Sequence, residues 1–329
     1  MNHYCTYFDK NYLYKGLTLY RSLLLWAKPF VLHALCFDEV TYEILSRMKL
    51  QSIELISRDE FLDGDPQLQS LVGSRSRVEF YWTCTPSLPL YLFRRHPRLG
   101  LVTYLDADLF FFSSPSPVFE EFGESSVLIV EHRYPDALRY LEVNGIYNVQ
   151  MLSFRRDDNS MICLEWWRDK CLEWCYNRLE NGRMGDQKYL DDWPRRFRGV
   201  HVLGNIGAGV APWNVREYSI QNRDGRVYVD EVPLIFYHFH QFRVLTAGRF
   251  YRASGLYTKG RELPEEIYQP YIQAITESIS DVHAVAPSFD GGIDSHIPVM
   301  LQALMRRYLP TTLKNAAKGI LFAGRRLSP

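Results

Sequence analysis

Two closely spaced carboxylates are the sharpest chemical feature of the sequence. Asp106 and Asp108 directly follow an apolar run at residues 101–105, and a second very apolar run at residues 109–112 comes after them. In an extended chain, residues two positions apart lie on the same side, so both carboxylates can face one cation. Carboxylate oxygens suit Mg²⁺ or Mn²⁺, and such an ion can hold a diphosphate. An ordinary acidic loop can have the same spacing by chance, but the position of the two acids between apolar runs favours a metal-binding site.

The pattern around these acids predicts the elements that position them. Strand-like and helical runs alternate along the first part of the chain, at residues 4–8, 14–26, 31–36, 41–48 and 52–56. This β-α-β-α-β alternation predicts a parallel sheet with crossover helices, in which ligands bind beyond the carboxyl ends of the strands. Asp106 would then lie at that edge, after a central strand. The sequence contains neither G-x-G-x-x-G nor a Walker A motif, which argues against common dinucleotide and P-loop sites.

Overall charge excludes one class of partner. The 329 residues carry 38 Lys and Arg against 38 Asp and Glu, so the formal net charge is zero, whereas a protein that coats nucleic acid needs a basic excess. We expect no transmembrane helix, because the chain has no apolar run of about 18 residues, and no signal peptide at the N-terminus. The six cysteines lack zinc-site spacing and are expected to be buried, reduced thiols. These features predict a cytoplasmic protein.

The basic residues are concentrated at the C-terminus. Residues 306–329 contain six Lys or Arg and no acid, and their apolar and basic residues fall on different helical faces. A basic amphipathic helix of this kind can lie on an anionic membrane surface. Packing of this helix on the rest of the protein, or a solvated tail, is the alternative.

Five short motifs along the chain resemble those of glycosyltransferase family 8, a family of GT-A enzymes. In order, they are Asp-Lys-Asn-Tyr at residues 9–12, Tyr-Leu-Asp-Ala-Asp at 104–108, Tyr-Asn-Val-Gln at 147–150, Asp-Gln at 186–187 and His-Phe-His at 238–240. Their common order, over residues 4–245, is far more specific than any one motif. The resemblance implies an α/β, Rossmann-like GT-A fold with a mixed, mainly parallel central sheet flanked by helices and a C-terminal helical extension.

We expect three segments along the chain, and the departures from the motifs indicate a divergent, bacterial-type branch of the family. Residues 1–250 would form the nucleotide-sugar-binding catalytic domain, residues 251–305 a helical or loop extension, and residues 306–329 the basic tail. The sequence departs from the family at Gln150, where the family usually has Gly, and at Gln241, after which no Lys-Pro-Trp follows. Gln150 would narrow the pocket.

The resemblance also implies which residues bind the donor and the metal. The nucleotide-sugar set is Asp9, Asn11, Tyr12, Arg77, Asp106 and Asn148. Asp9 and Asn11 would hydrogen-bond uracil and ribose, and Arg77 would contact the diphosphate unless it is an ordinary surface charge. Asp106, Asp108 and His238 would hold Mn²⁺, which suits a mixed oxygen and nitrogen site better than Mg²⁺ does. His240 is the alternative to His238 as the metal ligand, because side chains two positions apart in a strand lie on the same face.

Asp186 and Gln187 are the implied catalytic residues. In a retaining enzyme, the departing diphosphate accepts the acceptor's proton, the Gln187 amide oxygen stabilises positive charge at the sugar, and Asp186 binds sugar hydroxyls. In an inverting enzyme, Asp186 would be the general base. Alternatively, Asp186 has a structural role only, as an acid at a helix N-terminus, where its charge interacts favourably with the helix dipole.

Together these features predict a metal-dependent hexosyltransferase. It would move a hexose from a UDP-sugar to a hydroxyl of a glycan or glycolipid acceptor, with retention, in the synthesis of cell-surface polysaccharide or glycoconjugate. We expect a cytoplasmic enzyme, peripheral at the inner face of the membrane through residues 306–329. The non-enzymatic alternative is a carbohydrate- or nucleotide-binding protein that keeps the GT-A fold without catalysis.

Overall fold

The computed structural model describes residues 1–258 and 262–294. The strands of this part of the chain are β1 (Asn2–Phe8), β2 (Phe30–Cys36), β3 (Ile53–Ser57), β4 (Leu101–Leu105), β5 (Leu109–Phe111), β6 (Val127–Glu131), β7 (Tyr147–Arg155), β8 (Val200–Val202), β9 (Ile220–Arg223), β10 (Arg226–Val229), β11 (Val232–Pro233), β12 (Phe236–His238), β13 (Arg243–Leu245), β14 (Arg249–Tyr251) and β15 (Ile293–Asp294). The α-helices are α1 (Leu13–Trp26), α2 (Glu39–Met48), α3 (Arg58–Leu62), α4 (Pro66–Leu71), α5 (Arg77–Cys84), α6 (Ser87–Arg95), α7 (Ser116–Phe122), α8 (Asp158–Glu173), α9 (Trp193–Arg196), α10 (Gly255–Thr258) and α11 (Glu265–Val285). Short 3₁₀ helices cover Asp136–Asn144, Gln187–Asp192, Val215–Glu217 and Thr246–Gly248.

A seven-stranded sheet in the order β3-β2-β1-β4-β7-β6-β8 forms the centre of the fold. Strands β3, β2, β1 and β4 run parallel, and β8 is parallel to β6. Strand β7 alone of these is antiparallel to both of its neighbours, β4 and β6. The predicted α/β class, with a mixed, mainly parallel sheet flanked by helices, is confirmed. The helix that follows the sheet region, α11, matches the expected C-terminal helical extension.

The two faces of β1 contact different layers. Cys5 belongs to a buried cluster that includes residues of α5, α6 and α8, and Tyr7 packs against it. Alternation along the strand turns Phe8 to the other face, where it meets α1. Gly16 of α1 lies so close to Phe8 that a Cβ there would come within 2.4 Å of the ring. Glycine therefore lets α1 approach the sheet directly behind the end of β1.

Helix boundaries differ from the sequence prediction where caps and loops decide them. The helix predicted at residues 161–179 begins at Asp158, because the Asp157 side chain accepts a hydrogen bond from the Ser160 amide. It ends at Glu173, since Trp174 takes an extended backbone. Helices α3 to α5 were not predicted. All six cysteines are buried and unpaired, as expected.

Contacts divide the chain into two compact units. The first comprises Met1–Phe242 and Arg252–Gly292. It contains the seven-stranded sheet and α11, which packs on α1 through a hydrogen bond of 3.0 Å from Thr18 Oγ1 to Ser278 Oγ. The second comprises Arg243–Tyr251 and the chain from Ile293 onward, and its described part is the three-stranded sheet β14-β13-β15. The predicted segment boundaries at residues 250 and 305 stay predictions, and the predicted tail, residues 306–329, lies outside the described residues.

Among residues 1–258 and 262–294, no helix is long and apolar enough to cross a lipid bilayer.

Candidate active site

The paired acids lie at the carboxyl end of the central strand. Strand β4 ends at Leu105, a short turn carries Asp106 and Asp108, and β5 then pairs with β12 so that His238 stands opposite Leu109. This pairing brings the His238 imidazole to the acids. Its Nε2 lies 3.1 Å from Asp108 Oδ1 and 3.8 Å from Asp106 Oδ2. The pairing of β5 with β12 thus brings together three residues, although Asp106 and His238 are 132 positions apart in the sequence.

Burial and charge set the protonation of this triad. Burial raises the pKa of Asp106, His238 lowers it and the charge of Asp108 raises it further. Burial acts the same way on Asp108, but His238 and Lys15 hold its pKa well below the usual range. Burial opposes protonation of His238, yet the two carboxylates, Asp108 above all, keep its pKa above the usual value. The carboxylates thus favour positive charge at this position, which either a protonated imidazole or a metal cation can supply.

The donor set of the triad fits a divalent cation. One ligand atom from each of Asp106, Asp108 and His238 lies within 4.8 Å of the others. Two carboxylate oxygens and one imidazole nitrogen suit Mn²⁺ and related ions. The Tyr104 hydroxyl donates to Asp106 Oδ1 at 2.9 Å and orients that carboxylate. His240 lies outside this group and has its ring edge-on to Trp213 and Tyr257.

A tight turn after β1 holds the residues predicted to bind the nucleotide. Asp9 accepts two hydrogen bonds from Asn11, one from the backbone amide and one from the side-chain Nδ2, each 2.9 Å long. Tyr81 donates a third at 3.2 Å, and an Arg77 nitrogen lies 3.4 Å from the same carboxylate. The turn is therefore fixed before any ligand binds. Tyr12 is 42% exposed and offers an accessible ring.

Asn148 and Gln187 lie next to each other in the structure. The Asn148 amide nitrogen contacts His132 Nε2 at 2.8 Å and donates to Gln187 Oε1 at 3.3 Å. Gln187 Nε2 donates in turn to the Asn144 carbonyl at 3.2 Å. Gly145 has a φ of +140°, and a Cβ there would come within 2.9 Å of Gln187 Nε2. Position 145 therefore requires glycine for two reasons: the positive φ of its backbone, and the lack of room for a Cβ beside the Gln187 amide.

Asp186 is a buried acid with one strong donor. Its Oδ2 accepts a hydrogen bond of 2.9 Å from Thr85 Oγ1, and only 5% of the residue is exposed. Burial raises its pKa to about 7, with a further contribution from the charge of Asp106, while Thr85 acts in the opposite direction. A 3₁₀ helix follows Asp186, and the carboxylate makes no capping hydrogen bond to it. A group that exchanges its proton near neutral pH is suited to acid–base work or to hydrogen bonding with hydroxyls.

One cavity of about 620 Å³ gathers these residues. All the sequence-predicted site residues line it, namely Asp9, Asn11, Tyr12, Arg77, Asp106, Asp108, Asn148, Asp186, Gln187, His238 and His240. Gln150 does not line it. The side chain of Gln150 is fully buried instead, close to Gly209, so the expected narrowing of the pocket by Gln150 is wrong.

The structure adds residues to the site that sequence reasoning missed. Lys15 of α1 is 8% exposed, and its Nζ lies 3.6 Å from Asp108 Oδ2 and 4.0 Å from the centre of the Tyr12 ring. Three further residues contact the predicted ones through their side chains: Thr85 contacts Asp186, Tyr81 contacts Asp9 and His132 contacts Asn148. Lys15 stands one turn after Asn11, a spacing that could have marked it, because the turn and the first turn of α1 share one edge of the sheet.

Comparison with known proteins places the chain in a family. No family model matches. YfnD of Bacillus subtilis (strain 168) is 31% identical over 298 residues, which are 89% of this chain and 95% of YfnD. YfnF of the same organism is 32% identical over 298 residues, 88% of this chain and 96% of YfnF. Both are described as uncharacterized proteins.

Solved structures give a more distant likeness. They include the galactosyltransferase LgtC in complex with donor and acceptor sugar analogues, with a TM-score of 0.48 and 15% identity over 82% of this chain and 99% of LgtC. The glycosyltransferase GlyE of Streptococcus pneumoniae TIGR4 has a TM-score of 0.47 and 14% identity, and the match covers 85% of this chain and 63% of the GlyE chain. Mouse xyloside xylosyltransferase 1 has a TM-score of 0.45 and 16% identity, and the match covers 73% of this chain and 98% of the mouse chain. The curated relatives are much nearer, and on their identity and coverage the chain belongs to the same protein family as YfnD and YfnF of Bacillus subtilis.

Proposed function

We propose that this protein is a metal-dependent glycosyltransferase of the GT-A type, similar to family 8. It transfers a hexose from a UDP-sugar to a hydroxyl of a glycan or glycolipid. The observation that carries the proposal is the convergence of Asp106, Asp108 and His238 in a cavity that Asp9, Asn148 and Gln187 also line. These are the residues that a nucleotide sugar needs: a cation site between a polar turn for the nucleoside and a pair of amides for the sugar.

The nucleoside end of the donor binds at the turn after β1. Asp9 and Asn11 present carboxylate and amide groups, which match the donors and acceptors of uracil and ribose. Tyr81 and Arg77 hold Asp9 in place. Because the turn is already hydrogen-bonded, little conformational entropy is lost when the nucleoside binds.

The diphosphate lies at the triad. Asp106, Asp108 and His238 hold a divalent cation, with Mn²⁺ preferred, and this cation would neutralise the charge of the leaving diphosphate. Lys15 is the second positive charge there. The family's late Lys-Pro-Trp is missing from this chain, and Lys15 supplies a buried ammonium from α1, beside Asp108. This makes the departing phosphate a better leaving group.

The sugar lies between the triad and the Gln187 amide. In the retaining reaction, Gln187 Oε1 faces the positive charge that develops at the anomeric carbon, and Asn148 and Asn144 hold that amide. The departing phosphate takes the acceptor's proton. Asp186, held by Thr85, binds sugar hydroxyls. In the inverting alternative, Asp186 takes the proton instead, which its pKa of about 7 favours.

The acceptor belongs to cell-surface polysaccharide or glycoconjugate synthesis. The basic segment at residues 306–329 supports a peripheral position on an anionic membrane, at the cytoplasmic face, where lipid-linked acceptors are built. No nucleic acid is involved, in line with the zero net charge.

The test is release of UDP from a panel of UDP-sugars, with Mn²⁺ and with a chelator, in the presence of simple glycan and glycolipid acceptors. We expect Mn²⁺-dependent release from one or a few of the donors. UDP binding without turnover of any donor would favour the non-catalytic sugar-binding alternative. Neither turnover nor a rise in thermal stability with UDP and Mn²⁺ would contradict the proposal.

A further inference from the structure

A second group of metal-ligand side chains lies on the central sheet, away from the cavity. His33 of β2 stands directly beside Glu54 of β3 in the parallel register, and His96, the residue after α6, completes the group. One ligand atom from each lies within 4.8 Å of the others. His3, near the start of β1, contacts His33 from the other side. Asp9 follows the opposite end of β1, six residues from His3, so about 20 Å separate this group from the triad's edge of the sheet.

Two imidazole nitrogens of the group face one carboxylate without a hydrogen bond. His33 Nδ1 lies 3.1 Å from Glu54 Oε2, and His96 Nε2 lies 3.4 Å from Glu54 Oε1. Neither contact has hydrogen-bond geometry, and both nitrogens are buried without a hydrogen-bond partner. The His33 side chain is only 2% exposed, so water does not compensate it. A buried, unpaired polar atom is costly, and two that point at one carboxylate call for a cation between them.

The spacing of these atoms suits a zinc-class ion. Zinc bonds to imidazole nitrogen and carboxylate oxygen are about 2.0–2.2 Å long, so neighbouring ligand atoms on one ion lie about 3–3.5 Å apart. His33 Nδ1 lies 3.1 Å from Glu54 Oε2 and His96 Nε2 lies 3.4 Å from Glu54 Oε1, so each imidazole can share the ion with a different oxygen of the carboxylate. An ordinary histidine–carboxylate pair in the same protein looks different: His201 Nε2 and Glu121 Oε1 are 2.9 Å apart and form a true hydrogen bond.

His3 fixes the orientation and tautomer of His33. Its Nδ1 lies 3.1 Å from His33 Nε2, in a hydrogen bond. When His33 Nε2 carries the proton, the Nδ1 lone pair is left facing Glu54, which is the form that binds a metal. Burial lowers the pKa of His33 to about 3, and the neighbouring histidines add to this, so the ring is neutral at ordinary pH. The nearest cation, Arg95, has its Nε 3.9 Å from Glu54 but pairs more closely with Glu60, at 2.7 Å.

We propose that His33, Glu54 and His96 bind a zinc-class divalent ion. About a third of the Glu54 and His96 side chains is exposed, so the ion enters from solvent and keeps a water as a further ligand. The ion ties β2 and β3 to the end of α6. It is independent of the proposed transferase activity, because no member of the group lines the cavity.

The test is the zinc content of the full-length chain after dialysis against metal-free buffer and after addition of ZnCl₂. The triad is itself a candidate site for divalent cations, so every variant carries Asp108→Asn, which breaks it. In that background we expect one tightly held zinc per chain, and loss of that zinc when Glu54→Gln or His96→Asn is added. These two residues are partly exposed, so the variants should fold. Addition of His201→Asn, which breaks the ordinary pair, should keep the zinc.

Thermal unfolding gives a second readout that does not depend on activity. Zinc should raise the melting temperature of Asp108→Asn and should not raise that of Asp108→Asn combined with His96→Asn. An Asp108→Asn chain that takes up no zinc overturns the proposal, because any zinc of the wild type then sits in the triad. So does a zinc content that stays the same when Glu54→Gln or His96→Asn is added.

Discussion

At the scale of single residues, the raised pKa of Asp186 has a consequence for stability that can be measured without substrate. The carboxyl keeps its proton up to about pH 7 in the folded protein, whereas the group has a pKa of 3.8 when it is unperturbed. Between these values the folded state binds more protons than the unfolded state, so the free energy of unfolding falls as pH rises. Each unit of pKa shift corresponds to about 1.4 kcal/mol.

Asp186→Asn should remove this pH dependence. In chelator-treated protein, the free energy of unfolding of the wild type should fall by a few kcal/mol, relative to the variant, from about pH 4 to above pH 7. The stabilising effect is fully present below pH 3.8 and is lost as pH passes through 7. Denaturant titrations at several pH values measure it. Curves for the two proteins that stay parallel across this range would mean that Asp186 is not buried as described.

Lys15→Met should weaken the binding of phosphate groups and not of the nucleoside. Removing one charged contact to a phosphate costs roughly 1.5–3 kcal/mol, or about 10- to 100-fold in affinity. We expect this loss for UDP in the presence of Mn²⁺, with uridine binding unchanged, by calorimetry. Lys28→Met, at an exposed position, is the control. An equal loss for uridine would mean that Lys15 only supports the local structure.

The sequence identified many of the residues that line the cavity, because they sit in short motifs. Asp106 and Asp108 could be predicted from the apolar strand before them, whereas Asp9, Asn148 and Gln187 were implied by the resemblance to family 8. Lys15 was missed although it stands one turn after Asn11, because its partner, Asp108, is 93 residues away. Thr85 was missed since its partner, Asp186, is 101 residues away.

At the scale of elements, the loop before β7 is shaped around Gln187. Gly145→Ala would strain a backbone at φ +140° and would push a Cβ against the Gln187 amide. We expect about a tenfold lower transfer rate and a stability loss of about 1–2 kcal/mol, with UDP affinity unchanged. Gly100→Ala is the matched control, because a Cβ there meets no atom within 4 Å. An unchanged rate in Gly145→Ala would remove Gln187 from the proposed catalytic role.

Element prediction succeeded where hydrophobic alternation is local and failed where packing decides. Strand β4 was predicted at residues 101–105, the bounds that the structure has. Helix α5 was not predicted, although its N-terminus carries a capping box between Ser76 and Glu79. The end of α8 depends on Trp174, which leaves the helix and stacks with the Arg183 guanidinium, 4.7 Å from the ring centre. Such a contact across a loop is not visible in the apolar pattern of the helix itself.

At the scale of the whole molecule, the uneven charge along the chain predicts binding to a membrane surface. The full chain should bind vesicles that contain anionic lipid and should not bind neutral vesicles, with binding lost at high salt. Replacement of Lys314, Lys318 and Arg325 by Gln should weaken binding by about 1 kcal/mol per residue. Sedimentation with vesicles measures this. Equal binding to neutral vesicles, or no change in the triple variant, would contradict a membrane role of residues 306–329.

The central claim is that Asp106, Asp108 and His238 hold the cation that binds a nucleotide diphosphate. The most direct measurement is the affinity of the protein for UDP, by calorimetry, with Mn²⁺ and with a chelator. We predict at least ~10-fold tighter binding with Mn²⁺ in the wild type. Asp108→Asn and His238→Asn should lose this gain, and Asp158→Asn, at an exposed position, should keep it. Equal UDP affinity with and without Mn²⁺, or a gain that survives in Asp108→Asn, would contradict the account.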